Sequence, residues 1–296
     1  MVLMKADNLP PQLRNTGPGL KDVLALLVFA AVIGWLGWRV MLDFRYDWQW
    51  ADIPRFIAEL ESDGNLRLGP LGQGLALTLK ISLWASALAL LIGLALALGR
   101  LSKTLYFRIL SRTVVEVSRN IPPMVLIFIG FYFLSSQFFP WPKAALIVRE
   151  AGPNAQWLVE AATVRLSDLS VFCPVVLTLA VYEAAYFSEI FRGAILAVDR
   201  GQWEASWCLG LSRFQRYRFI ILPQVFRTAA PQLAGQFIST VKESSIVSVV
   251  SLAELTYSAM KLSATYHHLF EIWLTAAALY FVFNFALSSI FQRLEQ

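Results

Sequence analysis

The sequence predicts an all-α integral membrane protein with six membrane-spanning helices. Its 296 residues are 57% hydrophobic and 15% charged, whereas a soluble domain has about 45–50% apolar and about 25% charged residues. The mean hydropathy is +0.57. Six segments approach the roughly 20 mainly apolar residues that a spanning helix needs. They lie at residues 22–42, 74–98, 115–138, 171–193, 224–249 and 270–291.

The same composition excludes several classes of protein. Only 16 Gly, 13 Pro and 2 Cys are present, which excludes a collagen, a disordered tail and a disulfide framework. A net charge of +5 on so apolar a chain indicates basic loops facing a cytoplasm, and no nucleic-acid partner is expected. Cys173 and Cys208 fall on opposite sides of the predicted membrane, and the adjacent His267 and His268 do not share a helix face. We therefore expect neither a disulfide nor a metal site.

The six segments differ in their regularity. The first has no cleavage motif, so we expect an uncleaved helix, and the segment at 74–98 is the clearest span. The third contains Pro122 and Pro123, and the fifth contains Pro231. Membrane helices tolerate such interruptions where protein or water satisfies the freed backbone groups.

Basic residues predict the orientation of the chain. An even number of spans places both termini on one side, and twelve Lys and Arg residues outside the spans lie on that side, against seven on the other. Loops rich in Lys and Arg stay in the cytoplasm. Both termini and the 194–223 loop are therefore predicted to be cytoplasmic.

The 194–223 loop carries the most specific pattern. An amphipathic helical stretch at 202–209 precedes Gly210, and a second short basic helix follows before Leu222 and Pro223. The stretch presents apolar residues but is too short and too charged to enter lipid, so it needs a groove in a partner protein. Gly210 allows the positive φ that a sharp turn between two helices requires.

The spacing in this loop resembles the EAA loop of bacterial ATP-binding-cassette importers. Every interval of that motif is kept, and only its second Ala is replaced, by Ser206. The motif positions are held by Glu204, Ala205, Ser206, Gly210, Ile220, Leu222 and Pro223. The sequence also resembles importers for polar amino acids in three further segments, residues 185–206, 115–128 and 236–255. The resemblance covers about residues 70–292.

The resemblance implies the five-helix core of the type I importer fold, here preceded by one further helix. We divide the chain into an N-terminal part, residues 1–71, and a permease core, residues 72–296, with a coupling loop at 194–223. Segments 43–71 and 140–170 are longer than turns require. The first has the apolar spacing of an amphipathic interfacial helix, which could rest on the membrane surface or touch a binding protein.

The resemblance also implies partners. Two permease subunits, the second being a copy of this chain or a paralogue, would line one path through the bacterial inner membrane, surrounded by membrane lipid. A dimer of cytoplasmic ATP-binding subunits would power transport, and an extracytoplasmic binding protein would deliver a polar amino acid. The helix at 199–211 would couple the chain to the ATPase. The coupling residues implied are Trp203, Glu204, Ala205, Ser206, Gly210 and Leu211.

The sequence contains no G-x-x-x-x-G-K-[ST] motif. ATP and Mg²⁺ are therefore expected on the partner ATPase, with no cofactor on this chain and no enzymatic activity or catalytic residue of its own. The resemblance does not identify which amino acid is carried.

Charges within spans are costly and need partners. Glu116 and Arg119 lie three residues apart, as do Glu189 and Arg192, so each couple can neutralise itself on one helix face. We predict these four residues to form two structural ion pairs.

Glu183 is the strongest candidate for contact with the substrate. It lies about 18 Å along its predicted helix, near mid-membrane, with no basic residue one turn away. Its partner is a substrate ammonium group, water, or a group on another helix, such as Lys242. The other candidate substrate residues, in irregular stretches of their spans, are Lys242, Asn120, Ser244 and Ser245. Lys242 could bind the substrate carboxylate or form a salt-bridged gate.

Two other functional classes compete with this hypothesis. A self-sufficient secondary transporter or channel for small polar solutes would usually show matched inverted repeats, and the sequence shows no internal repeat. A membrane-bound enzyme would need a cluster of catalytic groups at a span end. The adjacent histidines do not supply such a cluster.

Overall fold

The chain forms two compact units, residues 1–48 and residues 49–296. The structure, a computed structural model, describes the backbone of residues 19–43, 46–60, 64, 66–134 and 141–294. Helices dominate both units, which confirms the predicted all-α architecture.

The first unit contains a single helix within its described residues, α1 (Leu20–Asp43). Its 24 residues extend over about 36 Å. No residue of the apolar stretch Leu20–Arg39 whose side chain the structure describes is buried. A helix that is apolar all round is suited to a lipid environment, as predicted for the first span.

The second unit is built from helices joined by short irregular turns. Its α-helices are α2 (Ile53–Ile57), α3 (Pro70–Arg100), α4 (Leu105–Asn120), α5 (Pro123–Phe128), α6 (Trp141–Glu150), α7 (Pro153–Ala162), α8 (Leu169–Leu196), α9 (Arg200–Cys208), α10 (Arg213–Arg216), α11 (Leu222–Glu243), α12 (Leu255–Tyr266) and α13 (Leu269–Leu294). Short 3-10 helices occur at Trp50–Asp52, Leu166–Asp168 and Ser244–Val250, and π-helical turns at Ile129–Leu134 and Tyr217–Ile221. Strand β1 (Ala58–Leu60) pairs antiparallel with β2 (Leu66–Leu68).

Helices α3 and α8 pack closely against each other through small residues. A Cβ atom added at Gly93 would lie 2.7 Å from the Cβ atom of Phe187 and 3.0 Å from the carbonyl oxygen of Ala184. Ala89 and Ala97 of α3 are fully buried on the same side. Small residues allow membrane helices to approach at this distance, so α3 and α8 form the centre of the unit.

Four helical stretches within the described residues are long and apolar enough to cross a membrane. They are Leu20–Arg39, Pro70–Arg100, Leu166–Leu196 and Leu269–Arg293. They correspond to the first, second, fourth and sixth predicted spans.

The third predicted span, 115–138, is interrupted at its prolines as the sequence indicates, but it begins earlier and bends more sharply than expected. Residues 105–114, expected in a loop, belong to α4, and α4 is separated from α5 by a bend of 113°. Ile121 is extended at the break, because the residue before a proline is disfavoured in the helical conformation. The predicted end of this span, residues 135–138, lies outside the described residues.

The fifth predicted span, 224–249, becomes α11 followed by the 3-10 helix Ser244–Val250. The 22 residues of α11 extend over about 33 Å, enough to cross a membrane. The helix is more polar than the four apolar spans and is not among them. Pro231 lies inside α11 without ending it.

The segment before α3 packs onto the rest of the second unit. Ile53 and Phe56 of α2 are buried with Leu71 of α3 and with residues of α12 and α13. The compact units therefore divide after residue 48, whereas the sequence analysis placed its boundary after residue 71. The expected interfacial helix is reduced to the five residues of α2, because the backbone becomes extended at Ala58 and enters β1.

Candidate functional site

The loop between α8 and α11 contains two short helices separated by a glycine turn. Gly210 has φ +69°. Its N–H donates to the carbonyl of Trp207 (2.9 Å), and the N–H of Leu211 donates to the carbonyl of Ser206 (3.3 Å). This is the Schellman pattern, which ends a helix with a left-handed glycine. The predicted turn at Gly210 is confirmed.

The starts of both helices are capped by side chains. The Asp199 carboxylate accepts a hydrogen bond from the N–H of Gly201 (2.7 Å) at the start of α9. Ser212 and Gln215 form a reciprocal capping box at the start of α10. Such caps typically stabilise a helix by about 1 kcal/mol. They allow helices of nine and four residues to persist in the loop.

Aromatic contacts hold the two helices against each other and against the chain that follows. The ring of Trp203 lies edge-on to that of Tyr217, with centroids 5.6 Å apart. The Arg216 guanidinium lies 5.1 Å from the Trp207 ring centroid and donates to the carbonyl of Leu211 (3.2 Å). The loop therefore has a defined tertiary structure of its own.

The predicted coupling residues divide between an inner and an outer face of α9. Ser206 is fully buried and its hydroxyl donates to the carbonyl of Trp203 (2.6 Å). Trp203 and Leu211 are half-buried, whereas Glu204 and Ala205 are exposed. The inner residues fix α9 to its own chain, and the outer residues remain accessible to another protein.

The tip of this loop exposes apolar side chains. Trp207 is 61% exposed and Leu209 is 72% exposed, and Phe214 of α10 is 73% exposed. Single exposed apolar residues are common, but three large ones within eight residues of one short loop favour an interaction surface. Leu209 and Phe214 had no role in the sequence analysis, because they lie outside the EAA motif.

Glu183 is fully buried in α8 and faces α11. Its Oε2 atom accepts a hydrogen bond from the Gln236 side chain (2.9 Å), and its carboxyl group also interacts with Thr240 and Glu243. The interhelical partner of Glu183 is Gln236 and not Lys242, which is exposed on a different face of α11. A contact of Lys242 with the substrate stays a prediction. The spacing of Gln236, Thr240 and Glu243 places them on one helix face.

The Glu183 site is incompletely satisfied. Within the described residues, Oε1 of Glu183 and Oε2 of Glu243 are buried without a hydrogen-bond partner. Buried polar atoms are normally paired, and an unpaired one calls for an explanation. Glu183 and Glu243 are neighbouring carboxyl groups, and a shared proton or a cation could complete their site.

The other candidate substrate residues make local contacts. The Ser244 hydroxyl donates to the carbonyl of Val241 (2.8 Å), and the Asn120 side chain donates to the carbonyl of Glu116 (2.7 Å). Ser245 is half-buried. No hydrogen bond within the described residues brings these side chains to Glu183.

Glu189 is the centre of an ion cluster that joins three helices. Its carboxylate accepts from Arg100 of α3 (2.9 Å), Arg119 of α4 (3.1 Å) and Arg192 of α8 (2.9 Å). The predicted pair of Glu189 with Arg192 is confirmed. The predicted pair of Glu116 with Arg119 is wrong, because the Arg119 guanidinium reaches Glu189. Arg100 is 89 residues away in sequence, so helical spacing could not have found it.

Two tyrosines connect the Glu183 site to the ion cluster. The hydroxyls of Tyr182 and Tyr186 are 3.1 Å apart, and Tyr182 also interacts with Glu183 and Glu243. The Arg119 guanidinium lies 5.8 Å from the Tyr186 ring centroid. These contacts join Tyr182 to Tyr186 and place Tyr186 beside Arg119 of the ion cluster.

A second buried carboxylate, Glu254, fixes the start of α12. It accepts from the N–H groups of Thr256 (2.9 Å) and Tyr257 (2.7 Å), and from the hydroxyls of Tyr280 (3.0 Å) and Thr78 (3.4 Å). Burial raises the pKa of this carboxyl group above its ordinary value, and the four donors act in the opposite direction. Glu254 was not among the candidate residues predicted from the sequence. Its cap on Thr256 and Tyr257 is local, whereas its contacts with Thr78 of α3 and Tyr280 of α13 depend on the packing of the helices.

The α2 segment is joined to the start of α13 by polar contacts. The His268 ring lies 3.1 Å from the Asp52 carboxylate, and the N–H of Gln49 donates to buried Glu271 (2.6 Å). Among the described residues, no group of three His, Cys, Asp or Glu side chains could hold a metal ion.

Comparison with known proteins identifies related sequences. The family described as binding-protein-dependent transport system inner membrane component matches residues 89–296. The octopine transport system permease protein of Rhizobium radiobacter is 31% identical over 229 residues, which are 75% of this chain and 83% of that protein. The glutamine transport system permease protein of Escherichia coli K12 is 28% identical over 256 residues, or 85% of this chain and 97% of that protein.

Solved structures show the same fold. An amino acid ABC transporter whose crystal structure was determined with histidines has a TM-score of 0.60 at 30% identity, covering 76% of this chain and 92% of that chain. The MetNI methionine ABC transporter in an inward-facing conformation has a TM-score of 0.53 at 17% identity, covering 77% of this chain and 97% of that chain. The second likeness concerns the fold alone.

The ion cluster predicts unequal effects of two glutamate substitutions. Glu189→Gln leaves three arginines without a counter-charge. We expect the free energy of unfolding to fall by about 2 kcal/mol, a value between those for exposed and buried ion pairs. Glu116→Gln is the matched control, since Glu116 forms no salt bridge within the described residues. Thermal unfolding of each purified variant in detergent measures its stability. Equal unfolding midpoints for the two variants would contradict a stabilising role of the ion cluster.

Proposed function

The chain belongs to the family of binding-protein-dependent transport system inner membrane components, and from this membership we propose a specific function. It is the permease subunit of an importer that moves polar amino acids across the bacterial inner membrane. Transport is driven by ATP hydrolysis in a separate subunit. The named relatives carry glutamine or octopine, which supports an amino-acid substrate for this chain.

The structure of α9 is the observation that carries this proposal. Trp203 and Ser206 attach the helix to its own chain, while Glu204 and Ala205 face outward. A short exposed helix with an apolar tip fits a groove in a partner protein. We assign that groove to the ATPase subunit.

The orientation of the chain follows from the same assignment. The α9–α10 loop must face the cytoplasm, where ATP is available, and the excess of Lys and Arg on that side supports this placement. Both termini then lie in the cytoplasm. The segments around α2 and α7 lie on the opposite side, where an extracytoplasmic binding protein delivers the substrate.

The absence of a phosphate-binding loop motif from the full sequence supports a division of labour. A dimer of ATP-binding subunits holds ATP and Mg²⁺, and this chain pairs with a second permease subunit, either its copy or a paralogue. Closure of the ATPase dimer moves the docked α9 helices, and the attached spans open to the outside. ATP hydrolysis then restores the inward-facing state.

The Glu183 site supports a contact with the substrate ammonium group. A buried carboxylate with one unpaired oxygen is costly within a membrane span, and a positively charged ligand offsets that cost. A carboxylate accepts charge-assisted hydrogen bonds from an ammonium group at about 2.7–2.9 Å. Gln236 and Glu243 would complete the same contact from α11.

The α9 assignment is tested by reversing the exposed charge at Glu204. Glu204→Lys should weaken ATPase association about thirtyfold or more, as expected for a central interface residue worth at least about 2 kcal/mol. Uptake by the reconstituted complex should fall with it. The control is Glu150→Lys, an exposed carboxylate in α6. If the ATPase co-purifies fully with the Glu204→Lys variant and uptake is unchanged, the assignment of α9 to the ATPase groove is contradicted.

The substrate contact is tested by removing the charge of Glu183. Glu183→Gln should raise the KM for uptake about tenfold or more, because a charged hydrogen bond contributes about 1.5–3 kcal/mol. ATPase association should not change. Glu116→Gln, the neutralisation of a glutamate at a helix end, should leave KM unaltered. An unchanged KM for Glu183→Gln excludes the residue from binding while leaving the permease assignment intact.

A further inference from the structure

Helix α4 has an unusual distribution of side chains. The face that packs against the protein buries Ser111, Val115 and Ser118, two of which are small and polar. On the opposite side, Tyr106 is 67% exposed and Ile109 is 55% exposed. The larger apolar side chains of α4 are therefore directed away from the protein.

The inward face of α4 is fixed by close contacts. Gly99 at the end of α3 leaves no room for a side chain beside Ser111. At the other end of α4, Arg119 binds Glu189 of α8 at 3.1 Å. These two contacts determine which face of the helix is exposed, so the apolar face is a fixed feature of the fold.

The exposed face is flanked by unneutralised basic residues. Lys103, Arg108 and Arg112 are exposed, and their side chains make no salt bridge or hydrogen bond within the described residues. Arg108 and Arg112 are one helical turn apart and lie on the same side. A helix with apolar residues on one face and arginines beside it is typical of proteins at a membrane interface.

The direction of α4 agrees with an interfacial position. The bend of 113° between α4 and α5 is close to perpendicular, so α4 and α5 cannot both follow the membrane normal. In the orientation proposed above, the loop before α4 is cytoplasmic. The three basic residues then lie at the surface of the cytoplasmic leaflet.

We propose that α4 is a binding site for anionic phospholipids of the cytoplasmic leaflet. The apolar face, with Tyr106 and Ile109, contacts the acyl chains, and Lys103, Arg108 and Arg112 bind the lipid phosphates. Anionic headgroups attract basic residues next to a membrane, and arginine donates paired hydrogen bonds to phosphate. The proposal rests on the cytoplasmic orientation of the loop before α4.

Charge favours lipid over a second copy of the chain at this surface. A symmetric dimer would place the same patch of both copies together. Three basic side chains of each copy would then lie close together and repel one another. In α4, Glu116 is the acidic side chain that could offset this charge. An anionic lipid surface supplies the compensating charge without this repulsion.

The first test measures lipid retention by the assembled transporter. The complex is reconstituted in nanodiscs of phosphatidylcholine mixed with phosphatidylglycerol, and the retained phosphatidylglycerol is measured by native mass spectrometry. Arg108→Gln with Arg112→Gln should reduce its enrichment about thirtyfold. The matched control, Arg149→Gln with Lys261→Gln, removes two exposed charges on the predicted opposite side. Equal enrichment in the two double variants would overturn the proposal.

The second test locates α4 directly and does not depend on the arginine substitutions. A spin label is placed at Ile109→Cys in a chain carrying Cys173→Ala and Cys208→Ser, and the complex is studied in the same nanodiscs. The label should be accessible to oxygen and inaccessible to a water-soluble nickel chelate. Access to the chelate would place α4 in water. Dipolar broadening between two labels would place it against a second copy, and either result would overturn lipid binding.

Discussion

The close packing of α3 against α8 at Gly93 is the constraint on which the rest of the second unit depends. Because a Cβ atom at Gly93 would come within 2.7 Å of Phe187, the two helices meet in a narrow range of rotations. That rotation directs Glu183 toward α11 and Glu189 toward Arg100 and α4. Helix α9 begins four residues after α8 ends, so the position of α9 depends on the same packing.

Three carboxylates of the second unit lie where its packed helices face each other. Glu189 is satisfied by three arginines and Glu254 by four donors, which gives both a structural role. Glu183 differs, because one of its oxygens has no partner within the described residues. Tyr182 and Tyr186 lie near the two glutamates on α8, and α8 itself leads from the proposed substrate contact toward the proposed coupling helix. A movement of α9 therefore acts on the helix that carries Glu183.

The sequence predicted local features well and contacts between helices poorly. Gly210 indicated the turn between α9 and α10 because the positive φ is a property of that residue alone. The prolines at 122 and 123 indicated an interruption but not a bend of 113°, which depends on how α4 packs on α3 and α8. Arg119 was assigned to Glu116 by helical spacing, and only the three-dimensional structure brings it to Glu189. The partner of Glu183 was missed for the same reason, since it depends on the rotation of α11.

The claim that α9 couples this permease to its ATPase is tested most directly by cross-linking from adjacent positions of α9 in the assembled complex. A thiol-directed photo-cross-linker is attached at Ala205→Cys or at Ser206→Cys, each in a chain carrying Cys208→Ser. Ala205 is exposed and Ser206 is fully buried against its own chain. The account predicts strong cross-linking to the ATPase subunit from position 205 and little or none from position 206. Absence of an ATPase cross-link from position 205 would contradict the claim that α9 couples this permease to its ATPase.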